Sequence, residues 1–415
     1  MMGAATRAAA QDLDAAVPPA RSESAPEVVS PPPGNPRFPL MDSLRALAAL
    51  GVVLAHVTIF TGNAQRLSWG VIPGNLDVGV SVFFVLSGFL LFRPFCAADL
   101  DGRRPPRVRA YLRRRILRIV PAYWLALTVL AIYPGISGVF SADWWRYYGF
   151  LQFYSYRTSI RGLGVAWTLC VEVAFYVCLP IYASGTRRLT ARLDRGHRAL
   201  AQVALLAVLS VGSIVLRIAD QGVVMQNSLM THFYWFALGM SLAIASAVLA
   251  ERGDAPRAVR MIIARPGLCW LAALIVFLTM CAVLTNAPQH LYYSVTQAVW
   301  QYLLSGLIAA LLVAPAIFGD SAGGWPRRAL GWSWLARLGL ISYGIYLWHA
   351  TIAITFISHD IQAWLPVLIG DLVVTIAVAS ISYVFVERPI LRYKDRRRPR
   401  DGSAIPETPM VSAGG

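Results

Sequence analysis

Ten apolar runs of roughly 20 residues constrain this chain more than any other feature of its sequence. A run of that length crosses about 30 Å of hydrocarbon, because an α-helix rises about 1.5 Å per residue. Only 14% of the 415 residues are charged and 57% are hydrophobic, which excludes a soluble globular protein of this size. The runs lie at approximately 44–62, 76–95, 115–134, 166–184, 199–218, 230–250, 267–285, 293–317, 334–357 and 364–387. We therefore predict an all-α, polytopic membrane protein with about ten transmembrane helices.

Basic residues are distributed unequally between the two sets of loops that these spans define. The set that includes both termini carries 27 arginines and lysines, whereas the opposite set carries 4. Because positively charged loops remain in the cytoplasm, both termini are predicted to be cytoplasmic, in a protein of the cell (inner or plasma) membrane. The net charge of +16 follows mostly from this asymmetry, so we expect the lipid bilayer, and no nucleic acid, to be its partner.

The two ends of the chain differ in composition from its middle. Residues 1–36 are rich in Ala, Pro, Ser and Glu and end in SPPPGNP, which predicts a disordered cytoplasmic tail. Residues 396–415 are predicted to be a second disordered tail, basic and polar in composition. Residues 37–395 then form one ten-helix membrane domain. We expect no separate soluble enzyme domain, so any chemistry must occur within the helices or at their ends.

The first span, SLRALAALGVVLAHV (residues 43–57), contains two ionisable residues that membrane segments usually avoid. Arg45 and His56 are eleven residues apart, so they lie on one helix face, about 16 Å apart along the axis. Arg45 is predicted near the cytoplasmic interface, with Asp42 as a candidate ion-pair partner, and His56 in the outer half of the membrane. Such groups usually face a cavity or a partner. A snorkelling anchor for Arg45 and an interhelical hydrogen bond for His56 are the alternatives.

The fourth span, AWTLCVEVAFYVCLP (residues 166–180), contains a carboxylate, Glu172. Counted from the outer surface, Glu172 and His56 lie at the same depth, so we predict that they share a cavity that opens to the outside. An unpaired carboxylate at this depth is costly, which makes a purely structural pairing the alternative to a catalytic role.

The ninth span, LISYGIYLWHATIAI (residues 340–354), contains a third group of polar residues. His349 is predicted in the outer half of the membrane, about a turn deeper than His56, while Ser342, Tyr343 and Tyr346 lie nearer the middle. Polar side chains of this kind often form hydrogen bonds between helices, which is the alternative to a functional role. We therefore treat Ser342, Tyr343 and His349 as supporting candidates.

Two arginines at the start of the third span, RRRILRIVPAY (residues 113–123), form a candidate phosphate site. Arg115 and Arg118 are three residues apart and therefore neighbours on one helix face. Two planar guanidinium groups at the cytoplasmic edge suit the binding of phosphate. A run of anchoring charges is the alternative, but Arg118 enters the apolar run before Pro121, which favours a cavity.

The second span contains two adjacent small residues, and five cysteines are distributed along the apolar runs. We interpret Ser87 and Gly88, in FFVLSGFLLF (residues 83–92), as a site of close helix packing. The five cysteines lie in or beside apolar runs and lack the spacing of metal ligands, which predicts buried free thiols and no metal site.

Six segments together resemble the acyltransferase 3 family of bacterial ten-helix membrane O-acyltransferases. They are MDSLRALAALGVVLAHV, VGVSVFFVLSGFLLF, LRRRILRIVPAYW, AWTLCVEVAFYVCLP, ISYGIYLWH and VFVERPI, in the family's order, and the resemblance covers residues 37–393. Thr168 stands where the family commonly has serine, to which we attach no loss of activity. We do not expect the extracytoplasmic SGNH hydrolase-like domain that some members carry.

The resemblance implies transfer of an acyl group, usually acetyl, from cytoplasmic acyl-CoA to a hydroxyl group at the outer face. The acceptor would be a carbohydrate, a lipid or glycolipid, or a small molecule, and acyl-CoA would be a co-substrate with no cofactor permanently bound. The family's arginine–ten residues–histidine motif maps onto Arg45 and His56, and its Arg-x-x-Arg motif onto Arg115 and Arg118. Its fourth-span glutamate maps onto Glu172.

The residues themselves suit this chemistry, because phosphate-binding charge lies at one end of the helices and a base near the other. His56 could take the proton of the acceptor hydroxyl during attack on the thioester. Glu172 could orient the imidazole and stabilise the imidazolium. The alternative is an exporter or flippase of a glycan or lipid, with the polar groups lining its pathway. Transfer from acyl-CoA by the purified protein distinguishes the two.

Overall fold

The computed structural model describes residues 38, 40–250, 256–284, 294–318 and 323–396. Within these ranges the regular structure is entirely helical, without a β-strand. The two predicted tails lie outside the described residues, apart from residue 396, which ends the last helix.

Ten helices in the described ranges are long and apolar enough to cross a membrane. In chain order they are α1 (Met41–Phe60), α2 (Gly79–Leu100), α3 (Val108–Ile132), α4 (Trp167–Leu189), α5 (Arg195–Ala219), α6 (Leu229–Leu249), α7 (Pro266–Leu284), α8 (Val295–Ile317), α9 (Ser333–Ser358) and α10 (Trp364–Ser382). The predicted all-α, polytopic fold is therefore confirmed. Shorter helices connect several of these elements.

The largest difference from the predicted spans is at the start of α3. This helix begins at Val108, well before the apolar run that opens at residue 115. Arginine is a good helix former, so the basic turns extend the helix beyond its apolar part, which hydropathy alone does not detect. Arg115 and Arg118 therefore lie inside a continuous helix, where the backbone fixes their relative positions.

Helix α2 lies at the centre of the bundle and packs most extensively against α6. Their backbones approach closely at Gly88, where an added Cβ would lie 2.3 Å from the carbonyl oxygen of Phe236. A side chain there would push α6 away, so the interpretation of Gly88 as a close-packing residue is confirmed. Helix α2 also packs against α1, α4 and α8, and it provides one wall of the site described below.

Helix α9 packs between α1 and α10. At one end of the α1–α9 contact, an added Cβ on Gly339 would lie 2.0 Å from the carbonyl oxygen of Asp42, so these two backbones are also in close contact. This packing places the polar residues of α9 beside those of α1 along most of both helices.

A long connection, residues 133–166, joins α3 to α4. It contains two short helices, Trp144–Tyr148 and Tyr156–Ser159. The backbone N–H of Gly162 donates to the carbonyl oxygen of Ser137 at 2.9 Å, which draws the two ends of the connection together. These ends cover the bundle at the end opposite to the arginine-rich loops, beside the last turn of α1.

All five cysteines are free, as predicted. Cys96, Cys170 and Cys281 are buried, whereas Cys178 is exposed and Cys269 is half-buried, so the prediction of burial is wrong for these two. Across the described ranges, no group of three or more His, Cys, Asp or Glu residues could hold a metal ion.

Candidate active site

A narrow cavity of about 80 Å³ lies among α1, α2, α3, α4 and α9, and we call it the arginine cavity. Its polar lining consists of Arg45, Ser87, Arg115, Arg118, Thr168, Glu172, Tyr176, Ser342, Tyr343 and Tyr346. Hydrophobic side chains of α2, α3 and α4 form the rest of its wall. The structure thus brings the three predicted phosphate-binding arginines together, although they come from two helices far apart in sequence.

The arginine cavity has an excess of positive charge, since three guanidinium groups and one carboxylate are present in its lining. Arg45 Nη1 donates to Asp42 Oδ1 at 2.9 Å, so the predicted ion pair is present. The buried Nε of Arg115 has no hydrogen-bond partner among the described residues. Because a buried donor without a partner is costly, this arrangement suits an anionic ligand.

Glu172 is held by two hydroxyl groups within the arginine cavity. Its Oε1 accepts from Ser87 Oγ at 2.7 Å and from Tyr176 Oη at 2.8 Å. The sequence did not identify Ser87 or Tyr176 as a site residue, because Ser87 fits a site of close helix packing. Tyr176 follows Glu172 by four residues, a spacing that places two side chains together on one helix face and could have identified it.

Two residues of α9 line the same cavity but use their hydroxyl groups within the protein. Tyr343 donates to the carbonyl oxygen of Ile119 at 3.0 Å and so joins α9 to α3 beside Arg118. Ser342 donates to the carbonyl oxygen of Gly339 at 2.8 Å, one turn earlier on its own helix. These two predicted supporting residues therefore lie at the site, and of the two only Tyr343 uses its hydrogen bond to join helices.

A second pocket, of about 320 Å³, lies beyond the arginine cavity at the end of the bundle near residues 133–166. We call it the histidine pocket. It is lined by His56, Phe60, Pro134, Gly135, Ile136, Gly162, Gly164, Val165, Trp167, Ala350, Thr351 and Ile354. Apart from His56, no ionisable side chain is present in this lining. The pocket is thus larger and far less charged than the arginine cavity.

His56 pairs with His349 beside the histidine pocket. His56 Nδ1 lies 2.7 Å from His349 Nε2, with the ring centroids 5.0 Å apart and the ring planes within 14°. His349 is completely buried, whereas His56 is half-buried and lines the pocket. The packing of α9 against α1 brings the two rings into contact, and the expectation that His349 lies a turn deeper than His56 stays a prediction.

The expectation that His56 and Glu172 share a cavity is wrong. Glu172 faces the arginine cavity and His56 faces the histidine pocket. Counting residues from a membrane surface estimates depth but not the direction in which a side chain points around the helix axis. The hydrogen bonds of Glu172 go to Ser87 and Tyr176, and that of His56 goes to His349.

A thin layer of side chains separates the two compartments. Thr168 Oγ1 donates to Tyr346 Oη at 2.9 Å, and Tyr346 Oη donates to the carbonyl oxygen of Val165 at 3.2 Å. Thr168 and Tyr346 line the arginine cavity, whereas Val165 lines the histidine pocket. The ring of Tyr346 also contacts that of His349, with centroids 5.7 Å apart. We call Thr168, Tyr346 and Val165 the dividing layer.

Comparisons with known proteins give the family. The sequence profile described as "Acyltransferase domain" (Acyl_transf_3) matches residues 39–387, which is most of the chain. The chain is 24% identical over 378 residues to O-acetyltransferase OatA of Staphylococcus aureus strains NCTC 8325 / PS 47, COL and MRSA252. The match covers 86% of this chain and 58% of each relative, so the chain spans little more than half of their length. No solved structure matches the chain significantly.

These findings confirm the resemblance found in the sequence, and they favour an enzyme over an exporter or flippase. The profile covers all ten membrane helices, including the residues that line both compartments. The chain belongs to the acyltransferase 3 family, and its ten long apolar helices are those of a multi-pass membrane protein.

Proposed function

We propose that the protein transfers an acyl group from cytoplasmic acyl-CoA to a hydroxyl group presented at the outer face. Acetyl is the acyl group that we expect it to transfer. The acceptor is a glycan, a glycolipid or a small molecule. The observation that carries this proposal is the pair of compartments, one basic and one containing a histidine pair, with only the dividing layer between them. The OatA relatives, which are named O-acetyltransferases, support acetyl as the group transferred.

The donor binds with its phosphates at Arg45, Arg115 and Arg118. Guanidinium groups bind phosphate oxygens through paired N–H donors, and Arg115 and Arg118 present theirs from one face of α3. The arginine cavity, at about 80 Å³, is far too small for a nucleotide, so the adenosine of the donor stays on its cytoplasmic side while the thioester arm extends past the arginines toward the dividing layer. Glu172 balances part of the positive charge and orients the hydroxyl groups of Ser87 and Tyr176.

The acceptor binds in the histidine pocket, whose volume of about 320 Å³ lies in the range of small-molecule sites. His56 removes the proton of the acceptor hydroxyl as its oxygen attacks the thioester carbonyl. The new C–O ester bond forms and the C–S bond breaks. CoA leaves as the thiolate and takes a proton from water, while His56 releases its proton to the outer side. The acyl group must pass the dividing layer, so Thr168 and Tyr346 move during the reaction.

The orientation follows from the loop charges. The arginine-rich loops lie at the end of the bundle where α1 begins, near Arg45, and such loops face the cytoplasm. The arginine cavity is then accessible to cytoplasmic acyl-CoA, and the histidine pocket faces the outside of the cell (inner or plasma) membrane.

Purified protein reconstituted in liposomes with radiolabelled acetyl-CoA and a cell-envelope extract tests the proposal. We expect release of the CoA thiol together with stable label on a component of the extract, and neither when His56→Ala replaces the wild type. Failure of the wild type to cleave acetyl-CoA or any longer acyl-CoA under these conditions would contradict the donor assignment.

A further inference from the structure

The two histidines belong to a chain of contacts that ends at a backbone carbonyl. His349 Nδ1 lies 3.1 Å from the carbonyl oxygen of Ile345, one turn earlier on α9. Its other nitrogen, Nε2, lies 2.7 Å from His56 Nδ1. Among the described residues, neither nitrogen of His56 makes another hydrogen bond.

The chemistry of these groups determines where the protons are. A carbonyl oxygen only accepts, so His349 Nδ1 carries the proton of that hydrogen bond. In a neutral imidazole the other nitrogen is then an acceptor, so His349 Nε2 accepts and His56 Nδ1 donates. A neutral His56 whose Nδ1 carries hydrogen has its lone pair on Nε2. The nitrogen that is not bound to His349 is therefore the basic one.

We propose that His349 is a positioning residue that holds His56 in the tautomer with a basic Nε2 directed to the acceptor. This inference rests on the proposed function, in which His56 accepts the acceptor's proton. The role that the sequence suggested for Glu172, orienting the imidazole, belongs to His349 instead.

Packing keeps the His56 ring in this orientation. The ring lies parallel to that of Phe60, with centroids 5.3 Å apart and planes within 1°, and its plane is within 14° of the His349 ring to which it is hydrogen-bonded. A flip of the imidazole about its Cβ–Cγ bond would put Cδ2 where Nδ1 now lies and break the hydrogen bond to His349. When Nε2 gains a proton, Nδ1–H remains bound to His349 Nε2 and becomes a charge-assisted donor, which stabilises the imidazolium.

The test compares two replacements of His349 in the full-length protein. His349→Gln retains an acceptor oxygen near the position of Nε2, whereas His349→Leu has none. We expect His349→Leu to lower kcat for acyl transfer by about tenfold or more, the effect of one hydrogen bond to a charged group, with an unchanged KM for acyl-CoA. His349→Gln should recover most of this loss.

His232 provides the matched control. It is also buried, its Nδ1 lies 3.1 Å from the carbonyl oxygen of Ser228 one turn earlier on α6, and it lines neither compartment. His232→Leu removes a comparable buried histidine and should leave kcat per folded molecule unchanged. If His349→Leu behaves like His232→Leu, or if His349→Gln is no more active than His349→Leu, the proposal is wrong.

A spectroscopic measurement on the wild type avoids any dependence on variant folding. The protein has only 6 histidines, so ¹⁵N NMR of histidine-labelled protein can distinguish them, with His56→Gln used to assign the signals. We expect a protonated Nδ1 and an unprotonated Nε2 for His56. The opposite tautomer would overturn the proposal even if the protein transfers acyl groups. The expected tautomer without any acyl transfer would instead contradict the proposed function alone.

Discussion

The arginine cavity and the histidine pocket share three helices, α1, α4 and α9, yet they differ in charge and size. The arginine cavity has about 80 Å³ and three guanidinium groups, whereas the histidine pocket has about 320 Å³ and His56 as its ionisable residue. On α1, Arg45 and His56 lie on one face about 16 Å apart along the axis, so a single helix serves both compartments.

This difference separates two tasks that would interfere with each other. Binding of phosphate requires concentrated positive charge, while a base must accept a proton and become positive itself. A guanidinium group beside the imidazole would oppose that step, because like charges repel most strongly where water is scarce. In the proposed mechanism, the dividing layer keeps the charge that forms on His56 away from the arginines, and only the acyl group crosses it.

Removal of the base, His56, should have the largest effect on catalysis. His56→Ala should lower kcat for transfer by roughly 10²–10⁴-fold, the usual contribution of general-base catalysis, and should leave the affinity for acyl-CoA unchanged. Steady-state transfer and equilibrium binding of acyl-CoA, measured on the same purified sample, separate the two effects. A loss of kcat below tenfold would mean that His56 is not the base.

Removal of the phosphate-binding charge should have a smaller effect, and on a different parameter. Arg115→Ala and Arg118→Ala should each weaken acyl-CoA binding by roughly 10–150-fold, because a charge-assisted contact contributes about 1.5–3 kcal/mol. kcat at saturating donor should change much less. Lysine at either position should recover only part of the affinity, since the two-pronged contact is lost.

Arg113→Ala is the matched control for these arginine variants. Arg113 lies on the same helix, is exposed, and does not line the arginine cavity. Its replacement should leave the affinity for acyl-CoA within about fivefold of the wild type, as expected for an exposed charge that contributes less than about 1 kcal/mol. Equal losses in all three variants would indicate a general effect of surface charge, and unchanged affinity in Arg115→Ala and Arg118→Ala would exclude a phosphate site.

The smallest predicted effect concerns the dividing layer. Tyr346→Phe removes the hydroxyl group that accepts from Thr168 and donates to Val165, with little change in volume. We expect a change in kcat of less than about tenfold, the effect of one hydrogen bond, with the affinities for donor and acceptor unchanged. Kinetic measurements with each substrate varied in turn check this. A loss as large as that of His56→Ala would assign Tyr346 a chemical role.

The sequence predicted most of the fold and the basic half of the site. Apolar runs report helices directly, because a membrane leaves no other way to satisfy the backbone over such a length. The three-residue spacing of Arg115 and Arg118 predicted that they lie on one face of α3. The position of Arg45 near the start of its apolar run placed it at the same end of the bundle. The orientation of both termini stays a prediction.

The histidine half could not be predicted in the same way. Depth is a one-dimensional property that residue counting estimates, whereas the partner of a side chain depends on helix rotation and on neighbours far along the chain. His56 and Glu172 were matched in depth and still face different compartments. The true partner, His349, lies 293 residues away from His56, and the packing of α9 against α1 brings the two together.

In the proposed mechanism, the donor enters from the arginine-rich side and the acyl group leaves from the histidine side. Sealed membrane vesicles of both orientations test it directly, because acetyl-CoA does not cross a bilayer. Inside-out vesicles, with the cytoplasmic face exposed, should cleave added acetyl-CoA and acylate an acceptor enclosed in their lumen. Sealed right-side-out vesicles should do neither until acetyl-CoA is loaded inside. Cleavage of externally added acetyl-CoA by intact right-side-out vesicles would contradict entry of the donor from the cytoplasmic side.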